Sequence, residues 1–240
     1  MLKKGFTLAE VLMTLAIIGV VAAITLPSLN YNIGNQALEK QTVKFYSQLH
    51  DGVMMGIADS GSGFDFNESF IRKNFNVVTI CDSSDTRKNC LGSNLSKDGA
   101  TYRTLKNGTT INVTDVFPTS KTIYALADGA IFTVDEGNTS IVTFDVNGSN
   151  APNVYGRDLW KITVFPDGSI DDANMTPEMR QTGSSTEIQT ELTKAYNNCK
   201  NGVLDGSVAH SGGYDHGQGG TVQVSSCFGH FMRNKFKFDY

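Results

Sequence analysis

The chain has 240 residues, of which 40% are apolar and 18% charged, so it can bury one core and by default forms one globular head. Its net charge is −4 and becomes two units more negative if Lys3 and Lys4 leave with a leader, which argues against a sequence-independent nucleic-acid surface. No cysteine precedes Tyr31, and the even set that follows suits an oxidising compartment and two disulfides: Cys81, Cys90, Cys199 and Cys227.

The first predicted element is an apolar run from Phe6 to Leu26, in which Glu10 is the only charged side chain. As a helix with a rise of about 1.5 Å per residue, the run covers the ~30 Å of a bilayer core. It therefore predicts a membrane span. Lys3 and Lys4 precede the run, so the positive-inside rule places the N-terminus in the cytoplasm and the head outside.

Two ordinary interpretations of this run are a cleaved secretory signal and a plain membrane anchor. A secretory signal has an apolar core of about 7–15 residues followed by a small-x-small site. This run is longer, and residues 27–32 offer no convincing site. A plain anchor does not explain Glu10, because an unpaired carboxylate near the end of a membrane helix costs on the order of a few kcal/mol. Glu10 is therefore predicted to need a partner.

The residues around Glu10 also carry a family resemblance. Residues 3–12, with the sequence Lys-Lys-Gly-Phe-Thr-Leu-Ala-Glu-Val-Leu, resemble the prepilin N-terminal cleavage and methylation motif of type IV pilins and type II secretion pseudopilins. The resemblance implies that a prepilin peptidase cuts between Gly5 and Phe6 and then N-methylates Phe6. It also implies that the amine of Phe6 in one subunit neutralises Glu10 of a neighbour, so that the buried charge is satisfied upon assembly.

Gly19 and Pro27 form a pair of helix-weakening residues in the apolar run and at its end. Proline removes one intrahelical hydrogen bond, and an internal glycine weakens a helix by about 1 kcal/mol relative to alanine. The stretch between them is predicted to be a soft segment, and the resemblance implies a helix that bends or locally melts there. The predicted division of the chain is a leader at 1–5, an assembly helix at 6–27, its amphipathic continuation at 28–60 and a head at 61–240.

After the apolar run, apolar residues recur near helical spacing from Gln36 to Ala58, with charged and polar residues between them. This pattern predicts an amphipathic helix that ends at the Gly-Ser-Gly sequence of residues 61–63. Together with the apolar run it predicts one helical element from Phe6 to about Ser60. The resemblance implies the fold class: α+β and pilin-like, with this long helix packed on an antiparallel β-sheet head.

Residues 64–100 are mixed and polar, and Cys81 and Cys90 bracket a turn-rich segment without periodicity, which predicts a disulfide-closed loop. Four cysteines allow three pairings. The order along the chain favours Cys81 with Cys90 and Cys199 with Cys227.

Short β-branched and aromatic runs follow, separated by turn dipeptides such as Asn-Gly and Asp-Gly. They predict an antiparallel meander. The predicted strands are Thr109–Val113, Thr122–Leu126, Ala130–Val134, Ser140–Val146 and Trp160–Phe165.

Residues 144–158 and the strand after them resemble a block seen in many pseudopilin-like proteins. Within this block Asp145, Asn147, Ser149 and Asp158 place hard oxygen atoms close together, which makes calcium a candidate cofactor. The spacing departs from an EF-hand loop, since no glutamate closes it. Asx turns at a strand end account for the same residues without a metal.

The C-terminal region predicts a helix from Glu187 to Asn197, a glycine-rich loop at 212–220 and an alternating tail from Phe231 to Tyr240. In the tail, basic residues alternate with phenylalanines, a pattern that single-stranded DNA binding would also require. A half-buried strand with a solvated outer face explains the alternation without a ligand and is preferred. The basic residues are Arg233, Lys235 and Lys237.

The sequence contains no nucleophile elbow, phosphate-cradling loop or paired-carboxylate site. The predicted function is therefore a structural subunit of a type II secretion pseudopilus or type IV pilus-like filament, without enzymatic activity. It would reside in the inner membrane before it assembles with like subunits. Prepilin peptidase and an assembly platform are the further expected partners, and nucleic acid is not an expected one. The alternatives are a minor or competence pilin that binds DNA or a secretion substrate, and a membrane-anchored binding or enzymatic domain.

Overall fold

The computed structural model describes residues 7–61, 66–105, 110–135, 140–172 and 227–239, and six positions between 186 and 199. The side chains of 27–32 are not among the described parts. The chain divides into two compact units, Met1–Ala37 and Leu38–Tyr240.

One helix, α1 (Leu8–Ser60), accounts for 53 residues and has the length expected for the predicted helical element. It is helical at Gly19 and at Pro27, so the predicted soft segment is helix in the isolated chain, and its bending or melting stays a prediction for the filament. The helix ends at Gly61, whose φ of +75° reverses the backbone while its N–H donates to the carbonyl of Ile57 at 2.8 Å. Glycine adopts this left-handed conformation at little cost, which is why the helix stops there.

The second unit is built on a six-stranded antiparallel sheet with strand order β1-β4-β5-β6-β7-β8. The strands β4 to β7 follow one another as a meander close to the predicted bounds. The six strands are β1 (Val77–Cys81), β4 (Ile123–Leu126), β5 (Ile131–Asp135), β6 (Ser140–Asp145), β7 (Leu159–Val164) and β8 (Ile170–Asp172).

One predicted strand lies elsewhere. Thr109–Val113 corresponds to β3 (Thr110–Asn112), which pairs only with β2 (Thr101–Arg103) in a separate two-stranded sheet. Val113 is not in this strand but begins the short helix α4 (Val113–Val116). The predicted strand is confirmed over Thr110–Asn112, but only the tertiary structure decides with which strand it pairs.

α1 packs on the sheet through one face that begins at Leu38. Leu38, Phe45, Leu49 and Val53 are buried at intervals of seven, four and four residues, which is the spacing of one helix face. The Phe45 ring stacks on Phe144 of β6 with centroids 4.1 Å apart. The α+β fold class, a long N-terminal helix with an antiparallel sheet packed against it, is therefore confirmed.

Cys81 and Cys90 pair as predicted, but the segment between them is not the predicted turn-rich loop. Residues Ser84–Leu95 form a helix, α3, and Cys90 lies on it. Its buried residues are Arg87, Cys90 and Leu91, which share one face before the kink, and Leu95 after it. The periodicity was difficult to recognise because the element is short, polar on its other sides and kinked at Gly92, whose φ is +63°. A further short helix, α2 (Glu68–Asn74), precedes β1.

Both cysteine pairs lie at disulfide distance. The Cα atoms are 6.3 Å apart in Cys81–Cys90 and 5.5 Å apart in Cys199–Cys227, the nearest-neighbour pairing predicted from chain order. We expect non-reducing peptide mapping of the protein, purified under oxidising conditions, to find these two links. Each should stabilise the head by about 2–4 kcal/mol, so reduction should lower its melting temperature. A peptide linking Cys81 to Cys227 would contradict the pairing.

The alternating strand predicted for the C-terminal tail is also wrong. The chain forms a helix, α5 (Cys227–Arg233), in which Phe228 and Phe231 pack against Trp160 with centroids 5.6 and 4.9 Å away. Lys235 and Phe236 then both adopt φ near +57°, which turns the chain back. The alternation of aromatic residues thus serves a helix and a tight reversal. Most of the predicted helix at 187–197, and all of the glycine-rich loop at 212–220, lie outside the described residues.

Candidate functional site

The first candidate site is the start of α1, around Glu10. Thr7 precedes the helix, and its backbone N–H and side-chain hydroxyl both donate to Oε2 of Glu10, at 2.8 and 2.9 Å. The Thr7 hydroxyl oxygen in turn accepts from the backbone N–H of Glu10 at 3.3 Å. This reciprocal arrangement is a capping box, which satisfies N-terminal donors of the helix. In the isolated chain, Glu10 is therefore bound by neutral donors. Gly5 and Phe6 lie outside the described residues.

The surface of this part of α1 is apolar. Leu8–Leu26 is the one described helix long and apolar enough to cross a membrane, as judged by length and composition. All but one of its residues are classed as exposed, and many are large aliphatic side chains. In the described part of the second unit, by contrast, only Met54, Met55 and Val78 are large apolar side chains with comparable exposure. Such a surface requires a cover, either lipid or other apolar helices.

The second candidate site is the loop of residues 146–158, here called the β6–β7 loop. It begins after Asp145 and ends with Asp158, and both carboxyl groups are fully buried. Asp145 accepts from the Tyr102 hydroxyl at 2.8 Å and from the backbone N–H of Asn147 at 3.0 Å. Asp158 accepts from two backbone N–H groups across the loop, those of Asn153 and Val154, both at 2.7 Å. The bond from Asn147 to Asp145, two positions apart, is the Asx-turn interaction that one of the two interpretations predicts, whereas Asp158 closes the loop from its far end.

Burial and charge act together on these carboxyl groups. Burial raises the pKa of Asp145 well above its ordinary value, and the nearby charge of Asp158 raises it further, whereas its hydrogen bonds oppose the shift. Burial likewise raises the pKa of Asp158, to about 6, against the backbone hydrogen bonds of Val154 and Asn153. Burial and the charge of Asp158 therefore both disfavour ionisation of Asp145.

Two amide oxygens in the same loop have no hydrogen-bond partner among the described residues. They are Oδ1 of Asn147 and Oδ1 of Asn153, and both atoms are buried. The Nδ2 of Asn147 donates to the carbonyl of Ala151 at 3.0 Å, which leaves only its oxygen uncommitted. Asn153 was not a predicted site residue. Its sequence signal was the Pro-Asn dipeptide, and in the structure it has a φ of +54°, unusual for a residue other than glycine.

The remaining predicted ligand, Ser149, contacts α3 instead. Its carbonyl accepts from Nδ2 of Asn94 on α3 at 3.2 Å. A Cβ added at Gly92 would lie 2.4 Å from the Ser149 hydroxyl oxygen, so the loop and α3 approach each other as closely as glycine allows. The structure therefore brings Asp145, at the end of β6, together with Asn147 and Asp158 of the β6–β7 loop, and it assigns Ser149 to the contact between that loop and α3.

The basic residues of the C-terminal tail make contacts within the chain. Nη2 of Arg233 lies 3.4 Å from Asp171, and Nζ of Lys237 lies 2.6 Å from Glu39 of α1. Glu39 is itself buried and also accepts from the backbone N–H of Phe238 at 2.9 Å. The Phe238 ring stacks on Trp160 with an interplanar angle of 4°. Two of the three cations and the aromatic rings that a nucleic-acid surface would use are thus engaged in holding the tail to the head.

Residues 1–26 match the family model described as the prokaryotic N-terminal methylation motif, which is the hallmark of the precursors of type IV pilins and pseudopilins. The match covers the capping box at Glu10 and the apolar half of α1. Comparison with curated proteins and with solved structures found no match.

Proposed function

We propose, from the methylation motif at residues 1–26, that this chain is a structural subunit of a type II secretion pseudopilus or of a type IV pilus-like filament. Prepilin peptidase would cut after Gly5 and methylate Phe6 while the apolar half of α1 holds the subunit in the inner membrane. The N-terminus would be cytoplasmic and the head extracytoplasmic. The subunit itself would catalyse no reaction.

The assembly mechanism that we propose is the one that the family resemblance implies for Glu10. In the isolated chain its carboxylate is bound by Thr7 through neutral donors, which offset part of its desolvation but none of its charge. In a bundle of apolar helices, the methylated amine of Phe6 from a neighbouring subunit would supply the missing positive charge. The exposed aliphatic side chains of Leu8–Leu26 would pack against those of neighbouring subunits. These van der Waals contacts would replace the contacts with lipid and add a non-directional contribution to the association free energy.

Processing offers the direct test of this assignment. Replacing Gly5 by tryptophan should leave an uncleaved precursor in the membrane, because the peptidase must approach the backbone at that peptide bond. Intact-mass spectrometry of the membrane fraction should show wild-type protein that begins at methylated Phe6 and a Gly5→Trp protein that retains Met1. A matched change outside the motif, Ser60→Trp, should be processed normally. A wild-type mature terminus other than methylated Phe6 would contradict the proposal.

A minor or competence pilin is the alternative within the same class of protein, and a membrane-anchored binding domain is a third. A minor subunit would occupy few positions and would contact a ligand through its head. Gene context would separate these alternatives. Neighbouring genes for a secretion ATPase, a platform protein and a prepilin peptidase would support filament assembly in general. Genes for a secretin or for DNA uptake would indicate which filament system the chain serves.

Calcium in the β6–β7 loop is a second proposal, and the structure offers support for it. Two buried carboxyl groups, those of Asp145 and Asp158, lie at the ends of this loop. Between them are the buried amide oxygens of Asn147 and Asn153, which have no hydrogen-bond partner among the described residues. Hard oxygen atoms of this kind are the ligands that calcium prefers. When bound, calcium would supply positive charge that offsets the repulsion between the carboxylates. The hydrogen bonds from the loop to Arg103 of β2 and from Asn94 of α3 to the loop would hold these ligands in position.

Calorimetry on the full chain in neutral detergent tests this proposal. We expect calcium to bind near millimolar concentration or more tightly and to raise the melting temperature of the head, while magnesium has a smaller effect. Asn153→Ala should weaken binding, and Ser149→Ala, a change in the same loop at a residue without a proposed ligand role, should not. Absence of calcium binding at millimolar concentration would exclude the site and leave the Asx-turn interpretation.

A further inference from the structure

A groove of about 440 Å³ lies between α3 and the segment from β3 to α4. Its size is within the range of pockets that bind small ligands or a few residues of a peptide. Part of its lining is apolar, and those side chains are buried: Leu91, Leu95 and Val113. Part is cationic: Arg87, Lys88 and Lys97. Asp98 is the one acidic residue among those that line it.

Arg87 gives the groove a buried positive charge. Its side chain is only 8% exposed, and its guanidinium donates to the backbone carbonyls of Phe117, Pro118 and Lys121. These carbonyls satisfy N–H groups but carry no net charge. Among the described residues no carboxylate forms an ion pair with Arg87, and its pKa is lowered by burial. A buried cation without a countercharge is costly, so an anionic group nearby would be stabilised.

The rim of the groove adds exposed charge of the same sign. Lys88 and Lys97 are exposed, and neither forms an ion pair with any residue that the structure describes. Two surface lysines elsewhere on the head are, by contrast, paired: Lys44 with Asp128 and Lys121 with Asp135. The whole chain is net acidic. The groove is therefore a local positive region on an acidic molecule, which favours an anionic partner and disfavours a second copy of the same head.

We propose that this groove binds an extended acidic segment of another protein, with an apolar side chain of that segment on Leu91, Leu95 and Val113 and its carboxylates beside Lys88, Lys97 and Arg87. The combination distinguishes a peptide from a simple anion, because an inorganic anion would leave the apolar lining uncovered. It also distinguishes a peptide from nucleic acid, since the groove has no aromatic side chain on which a base could stack. The site is independent of Glu10 and of the membrane segment, so its failure would leave the proposed filament role untouched.

The test uses the full chain in neutral detergent and a short fluorescein-labelled peptide of alternating glutamate and leucine. Fluorescence anisotropy at low ionic strength should give a Kd on the order of 100 μM or lower, which weakens as salt is added. The double variant Lys88→Glu/Lys97→Glu should bind at least about tenfold more weakly. The double variant Lys40→Glu/Lys235→Glu changes the net charge equally at exposed positions outside the groove and should bind like the wild type. Thr114→Trp, on the rim, should also obstruct binding without removing a buried side chain.

Several outcomes would overturn the proposal. Equal binding by the two double variants would show that only net charge matters. Equal binding of a peptide with serine in place of leucine, or its displacement by an equimolar amount of inorganic phosphate, would reduce the site to a simple anion site. Loss of a dimer upon Lys88→Glu/Lys97→Glu, seen by sedimentation, would assign the groove to a second copy of the chain. Circular dichroism of each variant keeps misfolding separate from loss of binding.

Discussion

Replacing Glu10 by alanine is expected to give a processed, membrane-resident and stable subunit that fails to enter filaments. Without its carboxylate the helix is cheaper to insert, by up to about a few kcal/mol. In the proposed filament, however, the change would leave the amine of a neighbouring Phe6 without a countercharge in an apolar bundle, which is strongly unfavourable. Insertion and assembly should therefore respond in opposite directions. Fractionation of membranes and of filaments released by shear would measure both.

The matched control is Thr14→Ala, in the same helix. Thr14 is polar and exposed, but its hydroxyl donates only to the carbonyl of Val11, so its loss should not affect assembly. Thr7→Ala removes the hydroxyl contacts with Glu10 but keeps the backbone N–H donor and the charge in place, so it should permit filaments. A plain membrane anchor predicts no effect of Glu10→Ala, and a minor tip subunit predicts a weaker one. Normal incorporation of Glu10→Ala into filaments would remove the mechanism proposed here.

Replacing Phe45 by alanine is expected to destabilise the head by about 3–5 kcal/mol, a large part of the stability of a domain of this size. The Phe45 side chain is 2% exposed, and its ring contacts both Phe144 and Phe132, with centroids at 4.1 and 5.6 Å. Its removal leaves a cavity where α1 meets the central strands. Urea unfolding of the full chain in detergent, followed by tryptophan fluorescence of Trp160, would measure the loss.

Met55→Ala is the control for this prediction. Met55 lies on the same helix ten residues further on, but its side chain is 61% exposed, so truncation should cost much less. The Phe45→Ala protein should still be cleaved and inserted, because its change is outside the methylation motif and the apolar half of α1. A Phe45→Ala head as stable as that of the Met55→Ala protein would mean that α1 does not anchor the sheet as the packing indicates.

Local signals explain what could be read before the structure. The apolar run with Glu10, the amphipathic pattern that follows and Gly61 after Ser60 specify α1, because helix periodicity and a left-handed stop depend on neighbouring residues. The strands β4 to β7 were recognisable for the same reason: β-branched runs between Asn-Gly and Asp-Gly turns pair with the next strand along the chain. The motif at residues 1–26 is likewise continuous in sequence.

Contacts between distant segments explain what was missed. α3 is short and polar, and its buried face is defined only by the strand and the turn that cover it. The sequence therefore predicts a turn-rich loop where the structure has a helix. The tail alternates like a strand, yet Trp160 and Glu39 hold it as a helix and a reversal.

By itself, then, the sequence determined the methylation motif, the apolar half of α1 and the order of the meander, because each depends on residues close together in the chain. Only the tertiary structure shows that the carboxyl groups of Asp145 and Asp158 are buried near each other in the chain fold, and that cationic side chains line a groove beside α3. Asp145 and Asp158 are thirteen positions apart, and Arg87 meets its carbonyl partners thirty or more positions away. Burial and the loss of solvent screening, which give these charges their energetic weight, arise only when such segments pack together.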